Sequence, residues 1–281
     1  MKIVPADQFT LEELADAYNQ TRIDYIVPMP MTVDRLREYN SIYDIDLSGS
    51  CAVVEDNEII GIGMLGVREG KGWITRLGVL PSGRRKGVGS VIMEFLLHES
   101  KKRHLSVMWL EVIKGNTPAH ELFRNFGFVE TQELFVTRRP PSFRPATGPL
   151  YSGAVASIRS LSHEKALTLL ASRKGHCAWT NQIESMRNAR NLTALEVKLK
   201  DGSSGWVSYH ASLLQLTKII VEVVEGDPTH VAATILYMLH RQHPTQDAIA
   251  ENVPALDPKW PGFQEIGYFD AFGRIEMIKR F

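Results

Sequence analysis

The second half of the chain repeats a pattern of residues found in the first half. Leu97-His98 recurs as Leu239-His240, 142 residues further on, and both pairs lie in segments with helical apolar spacing. After a loop that is shorter by two residues, further matches recur at an offset of 140: Glu111, Pro118, Phe123 and Gly127-Phe128 correspond to Glu251, Pro258, Phe263 and Gly267-Tyr268. Matches that keep one register predict a duplicated structural unit, and the alternative is two unrelated α/β domains.

Prolines interrupt the chain near its middle. The stretch from Arg138 to Ala154 holds prolines at positions 140, 141, 145 and 149. Because proline lacks a backbone N–H and fixes φ, we expect a semi-rigid extended spacer here. A length of 281 residues also suits two domains of ordinary size. We therefore predict a first domain over residues 1–139, a linker over 140–154 and a second domain over 155–281.

Apolar spacing in the first half alternates between helical and strand patterns. Thr10 and Glu13 form a capping-box pattern at the start of a predicted helix. The other predicted elements are a helix over 33–39, a strand pair over 52–54 and 59–64, a strand over 73–80, a helix with its apolar stripe at 88, 91, 92, 95 and 96, a strand over 107–113, a helix over 118–125 and a strand over 128–136. This order predicts an α/β fold, an α+β arrangement on a mixed sheet.

The segment LGVLPSGRRKGVGS, from Leu77 to Ser90, carries the clearest chemical signal. A strand ends and a helix begins there, and glycines leave the N–H groups of the first helical turn uncovered. Three consecutive cations, Arg84 to Lys86, add positive charge, so the segment suits a diphosphate. The glycine spacing fits neither the dinucleotide fingerprint nor a Walker A loop, which disfavours nicotinamide and ATP chemistry.

The same segment matches [RQ]-x-x-G-x-[GA] as Arg84-x-x-Gly87-x-Gly89, and it resembles the pyrophosphate loop of the GNAT superfamily of N-acetyltransferases. The stretch LEVIKGNTPAHELFRNFGF, from Leu110 to Phe128, is similar to the second half of that family's cofactor site, most of all in ribosomal-protein N-terminal acetyltransferases. The resemblance covers nearly all of residues 1–139. It implies two tandem acyl-CoA N-acyltransferase-like domains, with acetyl-CoA or another short acyl-CoA as co-substrate.

The resemblance also implies which residues bind the cofactor. Pantetheine would lie between the strand that ends at Val79 and the strand that carries Glu111. The Val79 N–H would donate to the thioester oxygen and stabilise the developing oxyanion. The full implied set is Leu77, Gly78 and Val79 for pantetheine; Arg84, Arg85, Lys86, Gly87, Val88, Gly89 and Ser90 for the diphosphate; and Asn116 and Phe123 for the cofactor arm. Asn116 could instead simply end a strand and start a turn.

Glu111 is the candidate general base. It alternates with apolar residues on its predicted strand, and the glutamate of LEV has this role in the resembling enzymes. The alternative is an ion pair with Arg124. The family's general-acid tyrosine is replaced by Phe123, which has no proton to give. Tyr25 and Tyr43 are the candidates for an acid or a substrate contact, and water is the other source of the proton.

The second half lacks the pyrophosphate loop. At the repeat offset, Arg84 to Gly89 correspond to Gly226-Asp227-Pro228-Thr229-His230-Val231, without a cation other than a histidine. Glu225 and Asp227 would repel a diphosphate at this helix start. We therefore predict a degenerate GNAT-like domain that binds no CoA, as in tandem members such as the mycothiol synthases, and that shapes the acceptor cleft or the tandem interface.

Charge, cysteine content and the lack of targeting patterns limit the kinds of partner, metal and cellular location that we expect. The chain has 32 basic and 32 acidic residues, so net charge supports neither a nucleic-acid nor a membrane surface. Cys51 and Cys177 cannot form a disulfide framework, and the histidines lack metal-ligand spacing. The first residues have no signal-peptide pattern and no stretch has the length and apolarity of a membrane span, so we expect a cytoplasmic protein without a metal.

These observations favour an acetyl-CoA-dependent N-acetyltransferase. No cysteine lies near the site motifs, so we expect direct transfer of the acetyl group to a primary amine of a small molecule or a peptide N-terminus. The alternative function is a non-catalytic acyl-CoA-binding or interaction module, for which Phe123 and the changed second half are the motivation.

Overall fold

The computed structural model describes residues 1–27, 29–141 and 149–281. Their contacts divide the chain into two units. The first unit comprises Met1–Thr131 together with Ile275–Phe281, and the second comprises Gln132–Arg274. The sequence-based division had placed residues 132–139 with the first half and residues 275–281 with the second, so each unit contains a segment from the other half of the chain.

Strands and helices alternate in the first unit. Its elements are β1 (Lys2–Pro5), α1 (Leu11–Gln20), α2 (Val33–Ile42), β2 (Cys51–Glu55), β3 (Glu58–Arg68), β4 (Lys71–Val79), α3 (Val88–Lys102), β5 (Val107–Ile113) and α4 (Thr117–Asn125). The strand β6 (Val129–Arg139) begins in this unit and continues in the second.

The second unit has a similar succession of elements. They are α5 (Pro149–Ala154), β7 (Val155–Leu161), α6 (His163–Ala171), α7 (Ile183–Ala189), β8 (Leu192–Leu199), β9 (Ser204–Ala211), β10 (Gln215–Glu225), α8 (Pro228–Gln242), β11 (Asp247–Pro254), α9 (Trp260–Glu265) and β12 (Phe269–Arg280). The end of β12 belongs to the first unit.

The two units have the same strand order. It is β1-β2-β3-β4-β5-β12 in the first and β7-β8-β9-β10-β11-β6 in the second. In each, one central pair is parallel, β4 with β5 and β10 with β11. The helices that follow β4 and β10, α3 and α8, are both 15 residues long. The predicted α/β class and the predicted tandem repeat are confirmed.

Most predicted elements of the first half are present in the structure. The capping box at α1 is complete, because Thr10 Oγ1 accepts from Glu13 N at 3.2 Å and Thr10 N donates to Glu13 Oε2 at 2.8 Å. The strand β1 was not predicted. Part of the predicted linker, residues 142–148, lies outside the described residues. The prediction of an extended spacer is wrong for its last six residues, because the helix α5 covers Pro149–Ala154.

Two apolar cores cover the two faces of the first sheet. On one face, α3 and α4 pack over β4 and β5 through Ile92, Leu96, Met108, Leu110 and Phe123. On the other face, α1 and α2 pack over β2 and β3 through Leu14, Tyr18, Leu36, Ile62 and Met64. The end of β4 is therefore held between two layers of helices. Among the described residues, no helix is long and apolar enough to cross a lipid bilayer.

The second unit contains a buried histidine. His240 Nε2 lies 2.9 Å from the Tyr268 hydroxyl. Burial, together with the nearby positive charge of Arg139, lowers the pKa of His240 from its ordinary value of 6.5 to about 3. His240 is therefore neutral in the native protein across the physiological pH range.

The buried histidine makes the second unit sensitive to acid. Between the lowered pKa and the ordinary one, the unfolded chain binds a proton at His240 and the native chain does not, so stability falls as pH falls below about 6.5. From pH 7 to pH 4.5 we expect His240 to account for a loss of about 2 kcal/mol. Urea unfolding of wild type and His240→Gln at both pH values measures this. His98→Gln, an exposed change on α3, is the control, and equal pH dependence in all three proteins would contradict the assignment.

Candidate active site

The strands β4 and β5 separate towards their carboxyl ends. They pair in parallel from Lys71↔Val107 to Ile74↔Leu110, and beyond those pairs β4 keeps its pairing with β3 only. This separation leaves a gap between the end of β4 and the residue after Leu110, which is Glu111. A gap beside a backbone edge can accept an extended ligand.

The backbone of β4 presents its free edge to this gap. Leu80 N donates to Ile60 O of β3 at 2.9 Å, and because successive residues alternate between the two edges of a strand, the Val79 N–H points away from β3. The carbonyl of Leu77 accepts from Arg22 Nη2 at 3.3 Å, and that of Val79 accepts from Arg84 Nε at 3.3 Å. The two arginine side chains therefore lie along the edge where pantetheine is predicted to bind.

The glycine loop opens onto the start of α3. Gly87 is the N-cap, with a left-handed φ of 83° and without a capping side-chain hydrogen bond. A side chain at that φ would be strained, so glycine fits this position. The N–H groups of Val88, Gly89 and Ser90 are those that helix geometry leaves unbonded. This helix start can accept an anionic group.

The three cations of the loop differ in their surroundings. Arg84 makes two hydrogen bonds of 2.6 Å to Asp24, and this contact lowers the pKa of Asp24. Lys86 lies 3.9 Å from Glu55. Arg85 is exposed and has a left-handed φ of 63°. Since the exposed pair of Arg84 and Asp24 is weak, a diphosphate could exchange with the Asp24 carboxylate.

Glu111 lies against an aromatic cluster. Its Oε2 accepts from Trp73 Nε1 at 2.7 Å. The Trp73 ring is 6.2 Å from that of Tyr39 and 5.8 Å from that of Tyr43, centroid to centroid. Between Glu111 and Arg124, both within the described ranges, no ion pair forms. Glu111 is half-buried at the start of the gap.

The candidate acids occupy different environments. Phe123 is 6% exposed and packs in the core, 6.3 Å from the Phe128 ring. Tyr25 Oη accepts from Asn116 Nδ2 at 3.3 Å. Asn116 Oδ1 also caps α4 by accepting from Ala119 N at 3.4 Å. Tyr43 belongs to the cluster over Trp73. Tyr25 and Tyr43 therefore lie near opposite ends of the gap, and Phe123 lies beneath it.

Sequence reasoning missed four residues that surround the gap. They are Tyr18, Arg22, Tyr39 and Arg76, which contact one another in the structure. Arg76 has a φ of 53° at a β-bulge in β4. A bulge redirects a side chain, and this change of direction has no spacing signature. The signal that could have indicated Arg76 is its charge, because it interrupts a strand whose other residues form a buried, mostly apolar pattern.

The second unit has the same gap with a different helix start. The strands β10 and β11 pair only at Gln215↔Asp247 and Leu216↔Ala248. A cavity of about 250 Å³ lies beyond these pairs. Asp227 caps α8 by accepting from His230 N at 2.8 Å. A carboxylate of the chain itself therefore occupies the position at which α3 presents uncovered N–H groups.

In the part of the chain that the structure describes, no group of three or more His, Cys, Asp or Glu side chains is placed to hold a metal ion.

Comparison with known proteins agrees with this architecture. A profile of the acetyltransferase (GNAT) family matches residues 12–128. The [ribosomal protein bS18]-alanine N-acetyltransferase of Escherichia coli strain K12 is 37% identical over 54 residues, which are 19% of this chain and 36% of that enzyme. The match thus spans about a third of that relative.

Solved structures match nearly the whole chain. A GCN5-related N-acetyltransferase from Sphaerobacter thermophilus has a TM-score of 0.73 at 13% identity, covering 99% of this chain and 93% of that one. A tandem GNAT protein from the clavulanic acid biosynthesis pathway has a TM-score of 0.64 at 14% identity, covering 99% and 98%. Residues 12–128 are therefore similar to the GNAT acetyltransferase family, and the chain has the fold of GNAT proteins, among them a tandem GNAT protein.

Proposed function

We propose that the first unit is an acetyl-CoA-dependent N-acetyltransferase that transfers the acetyl group directly to a primary amine. The observation that carries this proposal is the gap between β4 and β5, with the Glu111 carboxylate at its start. The match of residues 12–128 to the GNAT family model supports the reaction type.

The residues around the gap fit acetyl-CoA. The uncapped start of α3 would hold the diphosphate through the N–H groups of Val88, Gly89 and Ser90, and Arg84, Arg85 and Lys86 would add charge. The free edge of Leu77, Gly78 and Val79 would bond pantetheine, and Asn116 would contact the cofactor arm. Acetyl-CoA supplies an activated thioester and a thiol leaving group.

Each residue then has one task. Glu111 takes a proton from the amine, whose pKa near 10 otherwise keeps it protonated and unreactive. The amine nitrogen forms a bond to the acetyl carbon and the carbon–sulfur bond breaks, while the Val79 N–H donates to the carbonyl oxygen. The departing thiolate takes a proton from Tyr25 or water, and the nitrogen releases its second proton to solvent as the neutral amide forms.

Direct transfer is favoured over an acetyl-cysteine route. Cys51 is buried, and burial raises the pKa of its thiol to about 12. A thiol that holds its proton so strongly is a poor nucleophile. Cys177 belongs to the second unit.

A non-catalytic acyl-CoA-binding module is the second candidate. The observation that favours it is the core position of Phe123, because the resembling enzymes have a tyrosine there that acts as the general acid. The two candidates agree on acetyl-CoA binding and differ in thiol release.

Calorimetry and a thiol-release assay test the proposal. We expect one acetyl-CoA per chain, because Asp227 caps the corresponding helix of the second unit, and we expect release of CoA thiol with at least one member of a panel of amines. Two acetyl-CoA per chain would refute the prediction for the second unit. Binding without release for any amine would favour the binding module.

Two glycines provide a matched control for the binding site. Gly87 and Gly175 have left-handed φ values of 83° and 88°, and a Cβ on either would meet no atom within 4 Å. Backbone strain from alanine is therefore similar at both. Gly87→Ala should raise the Kd of acetyl-CoA by about tenfold or more, because it alters the helix start, while Gly175→Ala should leave it unchanged.

A further inference from the structure

Five side chains form an alternating stack of tyrosine and arginine in the first unit. The Arg22 guanidinium carbon lies 4.2 Å from the Tyr18 ring centroid and 4.9 Å from that of Tyr25. The Arg76 guanidinium carbon lies 4.2 Å from the Tyr39 centroid and 5.2 Å from that of Tyr18. The order is Tyr25, Arg22, Tyr18, Arg76, Tyr39, so both arginines share the Tyr18 ring.

One end of the stack contacts Trp73 of β4, and the other contacts the turn that follows β5. At one end, Tyr39 packs on Trp73, and the Trp73 indole donates to Glu111. At the other end, the Tyr25 hydroxyl contacts Asn116. The stack therefore runs around the gap from the candidate base to the predicted cofactor arm contact, and the two guanidinium groups lie between these ends.

The charge of Arg22 has no carboxylate partner among the residues that the structure describes. Its Nη1 donates to Thr21 Oγ1 at 3.1 Å and its Nη2 to the Leu77 carbonyl, and both acceptors are neutral. Its Nε is buried without a hydrogen-bond partner in the same set of residues. Other arginines of the unit do have carboxylate partners: Arg68 pairs with Asp44, Arg84 with Asp24, and Arg103 with Asp46 and Glu99.

A glycine in β4 leaves the space in which the Arg22 guanidinium reaches the strand backbone. Gly78 has no side chain, and a Cβ there would lie 2.6 Å from Arg22 Nη1 and 2.4 Å from Thr21 Oγ1. Burial of Arg22 lowers the pKa of its guanidinium, and the neighbouring Arg76 acts in the same direction. A partly buried cation next to another cation is costly unless an anion neutralises it.

The cofactor does not supply that anion at this place. The Leu77 carbonyl, which Arg22 contacts, lies along the edge assigned to pantetheine, which is uncharged. The anionic diphosphate is assigned to the start of α3. An anion that neutralises Arg22 would therefore belong to the second substrate.

We propose that the acceptor is an amine that also carries a carboxylate, and that Arg22, with Arg76 beside it, binds this carboxylate. Guanidinium groups bind carboxylates through two parallel hydrogen bonds, which fixes position as well as charge. The carboxylate would thus orient the amine towards Glu111. This inference rests on the proposed acetyltransferase activity.

Pairs of amines that differ only in charge test it. Glycine, β-alanine and 4-aminobutyrate are compared with their primary amides, and the amidated dipeptide Ala-Asp with amidated Ala-Asn. The first set supplies the carboxylate from a free amino acid and the second from a peptide side chain. For at least one pair we expect kcat/KM of the acid to exceed that of the amide by about 30-fold or more, as loss of a charged hydrogen-bonded pair implies.

Variants connect this preference to Arg22. Arg22→Gln should reduce the ratio of kcat/KM for the acid to that for the amide to below about 5. Arg22→Lys keeps the charge but loses the two parallel N–H donors of the guanidinium, so it should give an intermediate ratio. Gly78→Ala should also lower the ratio, because it displaces Arg22. Arg37→Gln, an exposed change on α2, should leave the ratio unchanged.

The outcomes distinguish failure of the carboxylate inference from failure of the acetyltransferase proposal. Equal turnover of acids and amides, together with a rate that depends on Glu111, would overturn the carboxylate inference and leave the acetyltransferase proposal standing. An unchanged ratio in Arg22→Gln would also overturn the inference. Absence of thiol release with every amine would instead refute the acetyltransferase proposal.

Discussion

Replacing Glu111 with glutamine should lower kcat at neutral pH by about 10²- to 10³-fold, the usual contribution of a positioned general base. Glutamine keeps the shape of the side chain, and its amide oxygen can still accept from Trp73 Nε1. It cannot take a proton from the amine. The Kd of acetyl-CoA should not change, because Glu111 is assigned to the amine and not to the cofactor. Steady-state thiol release and calorimetry measure the two quantities.

The pH profile separates loss of the base from structural damage. Without a base, the variant depends on amine that has lost its proton to solvent, so its rate should increase about tenfold per pH unit below the pKa of the amine. A merely distorted site would be slow at every pH. Glu94→Gln, an exposed change on α3, is the control. A Glu111→Gln protein with wild-type kcat, or with a weakened affinity for acetyl-CoA alone, would refute the role of Glu111.

The elements that form the predicted cofactor site could be predicted from the sequence because they are local. A strand end, a glycine loop and a helix start follow one another between Leu77 and Ser90, and each leaves a spacing signature. The acceptor half could not be predicted this way. Arg22 and Arg76 are 54 positions apart and meet through Tyr18 only after α1 has packed on the sheet. Contacts of that kind leave no periodic pattern.

The fold was similarly predictable wherever structure is local. Strand β5 has the predicted bounds, Val107–Ile113, since its apolar run ends at a glycine turn. Strand β1 is short and follows no alternation long enough to detect. Either β6 or β12 could follow β5 as the last strand of the first unit, and no local sequence pattern decides between them. The pairing depends on contacts between distant parts of the chain.

Removing residues 275–281 should abolish acetyl-CoA binding, although the predicted pyrophosphate loop lies far away in the sequence. The segment belongs to the first unit, where β12 lies next to β5. Met277 is 0% exposed in the same core cluster as Leu110 and Phe128. Phe281 N donates to Ser106 O at 3.1 Å, just before β5 begins. Without this strand, β5 loses a hydrogen-bonding neighbour and the core below Glu111 is opened to water.

The deletion also distinguishes two accounts of the domain boundary. If residues 1–139 formed a complete domain, as the sequence predicts, the truncated chain would bind acetyl-CoA with unchanged Kd. The contacts of Ile275–Phe281 imply that it would not. Met277→Ala provides a milder test, with an expected loss of about 2–4 kcal/mol in the free energy of unfolding of the first unit. Arg280→Ala, an exposed change on the same strand, should cost less than about 0.5 kcal/mol. Equal urea midpoints for the two variants would show that β12 does not stabilise the first unit.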